Sequence, residues 1–153
     1  MTKSFEVDAA HGSPTGHDSD QNLEIVVLFT TASATLLALK SAARLTAGLS
    51  AEIRVVVPCV VPYPLPVDRP AAYPCATSTG FGVLAQETGV ACLIDIRLCR
   101  ERWHAIRQAI PTPTIVIIGR KPHWWEFQER ALHAELRKMG HHVAYAERSS
   151  SNA

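Results

Sequence analysis

Residues 23–61 read LEIVVLFTTASATLLALKSAARLTAGLSAEIRVVVPCVV, and this stretch decides the fold. Its opening, LEIVVLF, is an apolar, β-branched run without alternation, the pattern of a strand covered on both faces rather than one. The segment TTASATLLALKSAARLTAGLS follows. A hydroxyl at Thr31 or Ser33 can accept from an otherwise orphaned amide and so start a helix. Leu36, Leu39, Ala43 and Ala47 then recur at helical spacing, with Leu45 near that stripe, and Gly48 supplies the stop. AEIRVVVPCVV, residues 51–61, again lacks alternation and reads as a second central strand.

Downstream the two element types keep alternating. Residues 58–75, PCVVPYPLPVDRPAAYPC, carry six prolines. Proline donates no amide hydrogen and fixes its own φ, so this stretch is expected to be an extended connector that continues neither sheet nor helix. A short helix is expected from about Gly82 to Thr88, then a third strand in VACLIDIRLC. RERWHAIRQAI is a helix with Trp103, Ile106 and Ile110 on one face, and TIVIIG is a fourth strand. WWEFQERALHAELRKMG is the strongest helix, with Trp125, Leu132, Leu136 and Met139 as its stripe, an i,i+4 pair Glu126–Arg130, and Gly140 as its end. HHVAYAE is a fifth strand. Strands that are apolar throughout and alternate with helices predict a three-layer α/β/α fold around a mostly parallel, five-stranded sheet. Helix one is expected on one face and the later helices divided between the two. Residues 1–22 and 148–153 read as tails around one domain, 23–147.

The composition narrows the function classes. The chain has 153 residues, 47% of them apolar, and a formal net charge of +1. A nucleic-acid binder would need a clearly basic domain, and no apolar run approaches the length of a membrane span. The N-terminus lacks the apolar core of a signal peptide, which predicts a cytoplasmic protein. The four cysteines show no C-x-x-C pairing and are expected to be reduced thiols, with Cys59 and Cys99 the pair able to approach. His11 and His17 lack the companions that a metal site needs, and the sequence offers no metal ligand set.

Ligands of such sheets bind outside the carboxyl ends of the strands, where strand order reverses. Those ends are Phe29–Ser33, Val57–Val61 and Gly119–Lys121. A glycine followed by Arg120 and Lys121 can capture an anion, or can be an ordinary loop with solvated charges. Trp124 and Trp125 can stack on a base or pack on the sheet. The five histidines from His104 to His142 and the carboxylates Asp95 and Glu101 stand isolated, and G-x-S-x-G is absent. No nucleophile–base–orienter set assembles, so the reading leans away from an enzyme.

At this point the residues resemble a known family. IVVLFTTASATLLALKSAARLTAGLSAEIRVVVPCVV is similar to the opening of universal stress proteins, where a strand of the type I-L-V-P-T-D-G-S leads into an alanine-rich helix. LCRERWHAIRQAIPTPTIVIIGR resembles that family's later helix and D-L-I-V-M-G-S strand, and ERALHAELRKMGHHVAYAE its closing helix and strand. The resemblance covers residues 23–147. It implies an adenine-nucleotide α-hydrolase-like sheet of order 3-2-1-4-5 and a homodimer paired through the last strand. It also implies a nucleotide site at Thr30, Thr31, Val57, Gly119, Arg120 and Lys121, with ATP or another adenine nucleotide as ligand. The departures fall on that site. Thr31 stands where the nucleotide-binding branch ends its first strand with aspartate. After Gly119, RKPHWWEFQER has no second glycine, and Pro122 removes an amide where the motif would supply one. Hence the leading expectation is a non-catalytic regulatory or interaction module without a cofactor, dimeric, with the Pro-rich segment open to a protein partner. The alternative is an adenine-nucleotide binder with at most slow ATPase activity.

Overall fold

The apolar runs become the centre of the sheet. The computed structural model describes residues 2–7, 23–68, 86–120 and 126–147. In chain order the elements are β1 (Thr2–Val7), β2 (Leu23–Leu28), α1 (Ala32–Thr46), β3 (Ala51–Val60), β4 (Cys92–Cys99), α2 (Arg102–Ala109), β5 (Ile115–Gly119), α3 (Glu126–Lys138) and β6 (His142–Ala146). Residues 86–88 form a helical turn ahead of β4. The sheet order is β1-β4-β3-β2-β5-β6. Strands β2 to β6 are all parallel, and counted among themselves they stand in the expected order 3-2-1-4-5.

Strand β1 corrects the reading of residues 1–22 as a tail. Thr2–Val7 pairs antiparallel with β4, from Thr2 opposite Arg97 to Val7 opposite Cys92. An edge strand is held by its backbone ladder and needs no continuous apolar run, so the sequence gives little sign of it. Residues 8–22 and 148–153 lie outside the described residues.

Alternate residues of each strand point to opposite faces, and this produces two cores. Ile25, Val27, Val55, Val57, Ile94 and Ile96 pack beneath Ala38, Leu39 and Ala42 of α1. Val26, Leu28, Val56, Val116 and Ile118 pack beneath Ile106 of α2, Ile110 just after it, and Leu132 and Leu136 of α3. α2 and α3 therefore share the face opposite α1, while the helix expected at 82–88 lies partly outside the described residues.

The buried side of α1 also differs from the expected stripe. It is Ala34, Thr35, Ala38, Leu39 and Ala42, whereas Leu45 is 53% exposed. A face of small residues lets the helix axis lie close to the sheet, which a leucine face would hold away. The approach is tightest at Gly119, where a Cβ would fall 1.8 Å from the carbonyl oxygen of Ala34. Only glycine fits there.

Strand β3 runs through Pro58, where the strand expected over 51–61 overlaps the connector expected from residue 58. Its register with β4 continues, Pro58 opposite Arg97 and Val60 opposite Cys99. The amide of Phe29 donates to Val56 O, so even-numbered residues of β3 direct their backbone groups toward β2. At position 58 that neighbour has ended, and the amide hydrogen proline lacks is not needed.

Candidate functional site

The carboxyl ends of β2 and β5 lie side by side at the crevice where strand order reverses. The β2–α1 turn is fixed by its own hydroxyls. Thr31 caps α1, its Oγ1 accepting from Ala34 N at 3.3 Å. Thr35 is fully buried, and its Oγ1 accepts from Thr30 N at 3.4 Å. Thr30 Oγ1 is enclosed and has no hydrogen-bond partner among the described residues.

The remaining residues named from the sequence do not converge on one point. Val57 is buried in the α1-side core, opposite Ile96 and three residues short of the strand end. Gly119 is spent on the contact with Ala34. Arg120 continues the ladder through its amide to Ala146 O at 2.9 Å. Its guanidinium is paired with Glu147 and lies over the Tyr145 ring at 5.9 Å, so it is directed toward β6. Lys121, Pro122, His123, Trp124 and Trp125 lie outside the described residues.

One residue absent from the sequence candidates stands out. Arg102, in the first turn of α2, reaches back across the strand ends, and its Nη2 donates to Phe29 O at 3.5 Å. Its Nε is enclosed without a hydrogen-bond partner, and no carboxylate pairs with it among the described residues. Burial holds its pKa below the usual arginine value, an effect partly opposed by the neighbouring Cys99. In the sequence Arg102 is indistinguishable from Arg100 and Arg107. Yet Arg100 lies over the Tyr63 ring at 4.0 Å and donates to Val61 O, and Arg107 meets Glu135 at 3.8 Å.

Beside α2, a cavity of about 360 Å³ opens over the end of β4, lined by Val67, Arg97, Cys99, Arg100, Glu101 and His104 among others. The Cys99 thiol approaches Cys59 O at 3.6 Å, and burial raises its pKa, with Arg102 opposing. Such a thiol is a poor nucleophile. Cys59 is disulfide-bonded, while Cys92 and Cys99 are free. That corrects both the reduced-thiol reading at Cys59 and the Cys59–Cys99 pairing. Cys59 stands opposite Leu98, so Cys99, one residue on, turns to the other face of the sheet. The partner of Cys59 lies outside the described residues.

Asp95, read as an isolated carboxylate, is the centre of a buried network. It accepts from Arg54 Nη1 at 3.1 Å and from Arg97 Nη2 at 3.1 Å. Arg54 also donates to Glu24 at 2.5 Å and to Ala109 O at 2.8 Å. Register alone places these strands together; the clue in the sequence is Glu24, Arg54, Asp95 and Arg97, charges inside three otherwise apolar runs. The described histidines make local contacts. His133 Nδ1 lies 3.0 Å from the Tyr145 hydroxyl, His104 Nε2 3.0 Å from Gln108, and His141 Nδ1 accepts from Thr114 N at 3.1 Å. Among the described residues no His, Cys, Asp and Glu cluster can hold a metal ion, and no helix is long and apolar enough to cross a membrane.

The fold defines a Rossmann-like α/β protein with a doubly wound parallel sheet. No family model matches the chain, no curated protein matches it, and no solved structure matches it.

Proposed function

We propose that this chain is a non-catalytic regulatory or interaction module on the plan of the universal stress proteins, working as a dimer paired through β6. The observation that carries the proposal is the contact of Gly119 with the first turn of α1. A triphosphate cradle needs bare backbone facing an open cleft. Here the glycine after the strand faces a helix carbonyl, and the next cation is engaged by Glu147. Isothermal titration with ATP and Mg²⁺ tests it: no binding is expected up to millimolar nucleotide, and a micromolar dissociation constant would sink the reading.

Pairing through β6 has its own support. His142 N donates to Thr114 O, and Ala146 O accepts from Arg120 N. Residues 142, 144 and 146 thus bond inward to β5, and Val143 and Tyr145 turn their backbone groups to the outer side, where the sheet order ends. A strand at the edge of the described sheet can template a second strand. Ala144 is exposed, so Ala144→Lys should convert a micromolar dimer to monomer in sedimentation without loss of secondary structure. A wild-type monomer at that concentration would remove the claim.

The second reading, an adenine-nucleotide binder with slow ATPase activity, draws on a different observation, the uncompensated charge of Arg102 at the same end of the sheet. It requires ATP affinity in the same titration.

A further inference from the structure

The geometry points to a small-oxyanion site, of the phosphate type, formed around Arg102 where α2 starts over the end of β2. A guanidinium has five N–H donors and no acceptor, and its charge is costly to bury without an opposite charge. Arg102 is partly buried, and its donors meet one backbone carbonyl, Phe29 O, which accepts a hydrogen bond and cancels no charge. The partly buried arginines of β3 and β4 are treated differently, Arg54 being neutralised by Glu24 and Asp95 and Arg97 by Asp95. Nε of Arg102 is enclosed; Nη1 is neither enclosed nor bonded among the described residues, which leaves its N–H groups able to meet a tetrahedral or planar anion. The place is also the one where doubly wound sheets hold ligands. Thr30, whose hydroxyl lacks a partner, follows Phe29 directly in the chain. The depressed pKa of Arg102 agrees with a charge in want of a counterion.

This inference goes beyond the module reading and does not depend on it, because a single oxyanion needs no triphosphate cradle. The test is a titration of the full chain with inorganic phosphate, against chloride at matched ionic strength, followed by thermal shift and calorimetry. Wild type and the control Arg107→Met should gain phosphate-specific stability. Arg102→Met should bind phosphate about tenfold or more weakly, the loss of one charge-assisted contact. Without phosphate, Arg102→Met should melt no lower than wild type, whereas a residue that only held structure would lower the melting temperature. If the methionine variant does not fold, Arg102→Lys, which keeps the charge and loses the fork, should still bind more weakly than wild type. A parallel titration with AMP separates free phosphate from a nucleotide phosphate: Arg102-dependent binding tighter than that of phosphate assigns the oxyanion to a nucleotide, and equal or weaker binding assigns it to the free ion. Stabilisation by phosphate no greater than by chloride, or equal in the Arg102 variants and wild type, overturns the proposal.

Discussion

Arg54 and Arg102 are both arginines held within one α/β domain, and the chain treats them in opposite ways. Arg54 sits toward the amino half of the sheet, its fork shared by Glu24, Asp95 and the Ala109 carbonyl. Arg102 sits at the carboxyl ends with a carbonyl and, among the described residues, no acid. A buried guanidinium with its carboxylates is finished structure; one without them stores an electrostatic cost that a ligand can relieve. The two guanidiniums therefore differ, one closed by carboxylates and the other without one among the described residues.

The contrast can be broken most strongly at Asp95, whose side chain is 3% exposed. Asp95→Asn leaves Arg54 and Arg97 short of a counter-charge and should cost about 3 kcal/mol in urea unfolding. A loss below about 1 kcal/mol would show that the network contributes little beyond a surface pair. Next in size is Gly119→Ala. Its new methyl group would overlap the Ala34 carbonyl, and the displacement of α1 should cost about 2 kcal/mol. Full stability in that variant would mean that the helix is free to sit further out, and the argument for a closed cradle would fail with it.

The smallest expected effect is on pH dependence. His141 is 5% exposed, its Nδ1 accepts from Thr114 N, and burial lowers its pKa below the ordinary histidine value, with a backbone hydrogen bond to Ile110 opposing. The folded state thus binds a proton less readily than the unfolded chain. The stabilising contribution is complete above the unfolded pKa of about 6.5 and is lost as pH falls below it toward the folded value. Melting temperature should decline through that window in wild type, and His141→Asn should flatten the decline. An unchanged slope would place the acid sensitivity elsewhere.

Much of the fold was legible because continuous apolar strands and glycine stops leave a strong pattern. Gly140, at φ 87°, ends the last helix where the sequence puts the stop. The misses have physical causes. β1 is held by a ladder and not by apolar periodicity. Pro58 is tolerated because of which neighbour its nitrogen faces, a property of register and not of residue type. The face of α1 was read from its leucines, while close packing against Gly119 selects its alanines. The site was much less legible. Thr31 occupies its expected capping position, yet Val57 lies short of the strand end and Arg120 is drawn toward Glu147. Arg102 is set apart by an enclosed Nε that meets no partner among the described residues, and that depends on the three-dimensional placement of the groups around it.

The missing side chain at position 119 has a mechanical corollary. With a carbonyl of α1 resting on the backbone of β5, the first turn of that helix is already at its inner stop. Any displacement there can only be outward, away from the sheet. A rearrangement of the Phe29–Thr31 corner would thus lift the helix end rather than sink it, giving this end of the molecule one direction of travel.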